Sequence, residues 1–251
     1  MFDSGGVRIH YETAGAGFPI VLLHGWASSY RMNFVDAGWV EALSPVRRVI
    51  GVDQRGHGAS DKPHESSAYA HEVMARDVIA LLDHLGIERA DVFGYSMGGQ
   101  IAGRLLVHAP ERLRAVVMGG VGVNWMDPAG DGSAEQYAVV IDALLAEDPN
   151  TIENATIRAV RDLYAAQGND LGALAAWLQA DHFGATREEL ANVETPVLVV
   201  NGESDTEAAQ VAEAIPGAQV EVIPGTNHIT VVPDQRFKER VLRFLREIGA
   251  A

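Results

Sequence analysis

The sequence predicts an α/β fold: a mostly parallel, doubly wound sheet carrying an inserted helical segment. Three observations lead there. Short apolar runs recur along the chain, segments with helical periodicity separate them, and one alanine-rich stretch of about 70 residues, Val123 to Asn192, holds no strand signal. Continuous apolar runs mark strands covered by helices on both faces, and their alternation with helices argues parallel strands joined by crossovers.

The first strand signal is Val7 to Thr13, whose alternation suits a half-exposed strand, and Gly15-Ala16-Gly17 turns the chain into Pro19 to Leu23. Further apolar runs follow at Arg48 to Asp53, Val92 to Tyr95, Ala115 to Met118, Pro196 to Val200 and Gln219 to Ile223. Between them, Met74, Val78, Leu81, Leu82 and Leu85 recur at helical spacing, Gln100 to Leu106 reads as a helix, and Phe237, Val241, Phe244, Leu245 and Ile248 repeat the pattern near the end. Residues 1–122 and 193–251 are therefore expected to form the core and 123–192 a helical cap. Its aromatic residues include Trp125, Tyr137, Tyr164, Trp177 and Phe183.

Bulk properties narrow the function. Against 34 acidic residues stand 19 basic ones, a formal charge of −15, so phosphate backbones and anionic lipid surfaces repel the chain on average. Nucleic acid is not an expected partner. The absence of cysteine removes disulfides, thiolate metal sites and a cysteine nucleophile. No apolar stretch approaches the length of a membrane span, and the N-terminal residues show no secretory pattern, which points to the cytoplasm. No compact ligand cluster such as His-Glu-x-x-His occurs, so neither a metal nor another cofactor is implied.

The chemistry begins at Gly94-Tyr95-Ser96-Met97-Gly98-Gly99, which lies between a strand signal and a helix signal. A serine hydroxyl becomes a nucleophile when a base takes its proton and a sharp turn between small residues exposes it. In open parallel sheets, ligands bind beyond the carboxyl ends of the strands. His24-Gly25-Trp26, Asp53 to Gly58, Ser96, Asn201 to Asp205 and Gly225 to His228 all follow strand signals. Among them Ser96, Asp205 and His228 supply a nucleophile, an orienting carboxylate and a base. Glu203 and Glu207 stand near Asp205 as rival acids.

That order, together with the His-Gly pair at 24–25, the Asp-x-Arg-Gly-x-Gly-x-Ser run from Asp53 to Ser60 and Gly202-x-x-Asp205, resembles the α/β-hydrolase superfamily over most of the chain. The resemblance implies that Ser96, Asp205 and His228 are catalytic and that the main-chain N–H groups of Trp26 and Met97 form an oxyanion hole. Met97 also opens a helix, where free N–H groups favour an anion. His24 and His57 are expected to serve loop geometry. Relatives that open epoxides or remove halide use an aspartate nucleophile, so Ser96 points to acyl transfer. The expected substrate is a carboxylic ester of a small to medium acyl group. C–C bond hydrolase, enol-lactonase, cofactor-free perhydrolase and non-catalytic receptor remain alternatives. Tyr95, Trp125, Tyr137, Trp177 and His182 are the candidate pocket residues.

Overall fold

The computed structural model describes residues 1–126 and 133–250. Eight strands form one sheet: β1 (Phe2–Ser4), β2 (Val7–Ala14), β3 (Pro19–Leu23), β4 (Arg48–Asp53), β5 (Ala90–Tyr95), β6 (Leu113–Gly119), β7 (Val197–Gly202) and β8 (Gln219–Ile223). Their spatial order is β1-β2-β4-β3-β5-β6-β7-β8, with β1 antiparallel to β2, β2 antiparallel to β4, and parallel pairing from β4 through to β8.

Strand alternation sorts the apolar residues into two cores, one on each face. Val21 and Leu23 of β3, Val92 of β5, Val116 and Met118 of β6 and Val197 and Val199 of β7 face α2 (His71–His84) and α3 (Met97–His108). Ile20, Leu22, Phe93, Ala115, Val117, Leu198 and Val200 face α1 (Trp39–Leu43) and α9 (Gln235–Ala250). Each of β3 to β7 buries both sides, which is why these strands read as unbroken apolar runs. In α9, Phe237, Val241, Phe244 and Leu245 make up the buried stripe.

The sheet's last strand departs from that expectation. β8 is an edge, and Val220 and Val222 are 44% and 43% exposed. An edge strand lacks the neighbour and part of the helical cover that a central one has. The strand β1 carries no run long enough to read, since its three residues pair with β2 alone.

Between β6 and β7 lie α4 (Ser133–Leu145), α5 (Ala155–Ala166), α6 (Leu171–Leu178) and α7 (Arg187–Leu190), and the described residues there include no strand. The expected cap, 123–192, includes 127–132, which lie outside the described residues. Side-chain caps delimit these helices: Asn154 accepts from Thr156 and Ile157, Asp170 from Ala173, and Thr186 forms a reciprocal box with Glu189. A further short helix, α8 (Ala208–Glu213), connects β7 to β8. Among the described residues no helix is long and apolar enough to cross a membrane.

Candidate active site

Ser96 sits between the end of β5 and the start of α3 with φ 53° and ψ −117°, a positive φ that a side chain adopts at a cost. Its neighbours show why the turn requires glycine. A Cβ on Gly94 would stand 2.0 Å from the Gly98 carbonyl oxygen, and one on Gly98 would stand 2.1 Å from that of Leu23. Packing of β5, α3 and β3 this close holds the hydroxyl beyond the sheet.

The other two candidates arrive from strands farther along the sheet, beyond β6. Asp205 follows β7 and His228 follows β8. His228 Nδ1 donates to Asp205 Oδ2 at 2.9 Å, and His228 Nε2 accepts from Ser96 Oγ at 3.0 Å. The carboxylate fixes the tautomer that leaves Nε2 free to take the serine proton. The rival acids are engaged elsewhere: Glu203 accepts from the Gly225 N–H and Glu207 from the Val123 N–H, both at 2.9 Å.

Two residues that the sequence reading passed over hold these loops. Asn201 is fully buried; its amide donates to the carbonyls of Val121 and Asp205 and accepts from the Val121 N–H, tying the acid loop to the loop after β6. Asn33 accepts from the Gly25 N–H at 2.7 Å and fixes the loop that carries Trp26. Among the described residues no acceptor pairs with the main-chain N–H of Trp26 or of Met97.

His24 and His57 lie beside this centre and point away from its chemistry. His24 donates from Nδ1 to the Gly25 carbonyl and accepts the Gln54 N–H at Nε2; His57 donates to the Arg55 carbonyl and accepts the Ala27 N–H. Both rings are fully buried, and burial pushes His57 down to about 3 and lowers His24, so both stay neutral.

A cavity of about 510 Å³ opens on Ser96 and His228. Trp26, Tyr137, Val140, Trp177 and Leu178 supply apolar wall, with Gln100, Asn124 and Glu207 on the polar side. Two of the five predicted pocket residues, Tyr137 and Trp177, are on this wall. Tyr95 is not: it is buried against Gly119 and Gly120, and its hydroxyl donates to the His228 carbonyl. Trp125 is fully buried, wedged against Gly103 and Gly184. His182 lies behind the wall, its ring centre 3.9 Å from that of Trp177 and its plane tilted by 30°. Burial lowers His182 to about 4. Gln100, one helical turn beyond Ser96, is a lining residue whose i+4 spacing was the available signal.

A family model described as the alpha/beta hydrolase fold matches residues 19–140. A 2-hydroxymuconate semialdehyde hydrolase of Pseudomonas sp. (strain CF600) is 30% identical over 98% of this chain and 93% of its own. Among solved structures, a hydrolase from Pseudomonas aeruginosa is 30% identical with a TM-score of 0.79, covering 97% of this chain and 96% of that one. The enol-lactonase of Burkholderia xenovorans LB400 is 25% identical with a TM-score of 0.73, covering 97% and 98%. The eight-stranded sheet, its turn at Ser96 and this full-length similarity have one reading: the chain belongs to the α/β-hydrolase family.

Proposed function

We propose that the protein is a serine hydrolase that cleaves carboxylic esters of uncharged, small to medium acyl groups through an acyl-enzyme. One observation carries this reading. The His228 ring bridges Ser96 and Asp205 at the wall of a cavity whose described lining includes no lysine or arginine.

In the first half-reaction Ser96 Oγ attacks the ester carbonyl carbon as its proton passes to His228 Nε2. The negative charge that develops on the carbonyl oxygen is met by the N–H groups of Trp26 and Met97, which have no competing acceptor among the described residues. Collapse breaks the bond to the alcohol oxygen, which takes the proton from His228. In the second half-reaction His228 removes a proton from water, the hydroxide attacks the acyl carbon, and the acid leaves with Ser96 reprotonated. Asp205 stabilises the imidazolium in both halves.

The hydroxymuconate semialdehyde hydrolases make C–C bond cleavage the competing reading. A muconate-type substrate carries a carboxylate, and a carboxylate leaving water is favoured by a cationic or hydrogen-bond-donating partner. The cavity offers instead the carboxylates Asp205 and Glu207 beside apolar wall, which supports a neutral ester.

The test is a panel of neutral p-nitrophenyl esters, enol-lactones and vinylogous diketone acids, run with wild type and Ser96→Ala. Turnover of the neutral esters that falls by roughly a thousandfold or more in Ser96→Ala is the expected result. Cleavage of the diketone acids alone would replace the ester reading with the C–C one.

A further inference from the structure

Beside the catalytic cavity lies a second, smaller one of about 160 Å³, between α4 and α5. Val140, Ala143, Leu144, Ile157, Val160 and Tyr164 line it together with Thr156, and Val160 is 39% exposed. Arg161, the one cation among the described residues at its edge, has its guanidinium drawn to the helix-end carbonyls of Ala143 and Ala146, each at 2.9 Å. What faces the lumen is hydrocarbon.

The partition between the two cavities is one side chain thick. Val140 lines both, and Trp26 on the catalytic wall meets Tyr164 on the second wall edge to face, ring centres 5.4 Å apart.

We propose that the second cavity receives the distal end of an unbranched acyl chain whose carbonyl carbon sits at Ser96, with Val140 and Tyr164 as its threshold. The substrates are then esters of medium-chain fatty acids. This rests on the ester reading above and extends it. An enclosed apolar void of about 150 Å³ accepts a benzene-sized guest, and this cleft, open to solvent beside Val160, has a similar volume with room for roughly six carbons. Each methylene moved from water into such a site improves binding about fourfold. No bond is made or broken here; the subsite acts on affinity, and therefore on kcat/KM.

The experiment measures kcat/KM for p-nitrophenyl esters from two to sixteen carbons in wild type and in two variants that fill the cavity, Ala143→Leu and Val160→Phe. Thermal melting verifies that both variants fold. In wild type, kcat/KM is expected to rise at least tenfold between four carbons and about ten, then stop rising beyond roughly twelve. Each filling variant should reduce the ten-to-four-carbon ratio by about tenfold or more. A flat wild-type profile, or a ratio that neither variant moves, overturns the proposal.

A second arm separates this failure from failure of the ester reading. In Ser96→Ala, methyl octanoate and methyl butanoate are titrated by isothermal calorimetry with and without Val160→Phe. Tighter binding of octanoate that Val160→Phe abolishes supports the subsite even where no ester is hydrolysed; equal affinity for both esters overturns it.

Discussion

The hydroxyl of Tyr95 donates a hydrogen bond to the main-chain carbonyl of His228, so the residue before Ser96 holds the loop of His228. Tyr95 is buried, and burial raises its phenol well above the ordinary range, which keeps it a donor throughout the working pH range. The bond links the end of β5 to the segment after β8 and fixes the distance between Ser96 Oγ and His228 Nε2.

Tyr95→Phe keeps the ring and removes that bond. On a neutral ester, kcat should fall about three- to tenfold, as expected for a lost hydrogen bond of about 1 kcal/mol, while KM changes little. Stopped-flow or steady-state kinetics on a p-nitrophenyl ester decides it. A wild-type kcat would show that the His228 loop holds its place without Tyr95.

Gly94 and Gly86 make a paired test of steric demand. A methyl group at Gly94 collides with the backbone of Gly98 and Gly99, whereas at Gly86 nothing lies within 4 Å and only the positive φ of 64° opposes it. Gly94→Ala should cost about 3 kcal/mol or more, or prevent folding; Gly86→Ala should cost about 1–2 kcal/mol. Urea unfolding midpoints compare them, and equal midpoints would remove the argument from close packing at the elbow.

Stability should depend on pH through the buried imidazoles. His182 is depressed from 6.5 to about 4 by desolvation, so between those values the unfolded chain binds a proton that the folded one refuses. Stability is therefore complete above 6.5, declines as pH falls toward 4, and levels off below it, with roughly 3 kcal/mol at stake for a group shifted this far. His57, pushed to about 3, extends the same loss further into acid. Urea midpoints across pH 4 to 7.5 should show the slope, and His182→Phe, which keeps an aromatic ring against Trp177, should flatten part of it. An unchanged slope in that variant would mean that His182 takes its proton without unfolding.

The central strands were legible because burial on both faces leaves an unbroken apolar run, as in Ile20-Val21-Leu22-Leu23. The same signal cannot distinguish a central strand from an edge, and Val220 and Val222 of β8 are exposed for that reason. Ser96, Asp205 and His228 were readable because each follows its own strand signal. The pocket was less so. Aromatic side chains advertise apolar bulk without saying which cavity they border, and Trp125 spends its bulk on Gly103 and Gly184. A glycine in the interior of α3 was the clue, since Gly103 leaves room only where another group comes close. Asn201 and Asn33 could not be found from spacing, because their partners at Val121 and Gly25 become neighbours only when the sheet forms.

Because β6 and β7 are hydrogen-bonded neighbours, Val116 to Val197 through Gly119 to Val200, the chain leaves the sheet after β6 and returns to the adjacent strand after α4 to α7. Closing a longer or shorter excursion between two fixed points changes the chain entropy only logarithmically. The excursion supplies Val140, Trp177 and Leu178 to the cavity, but none of Ser96, Asp205 and His228. On the acyl-transfer reading, a different helical segment spliced between Val123 and Val197 should change the acyl preference while the contacts of Val121 with Asn201 and of Val123 with Glu207 keep Ser96, Asp205 and His228 in place.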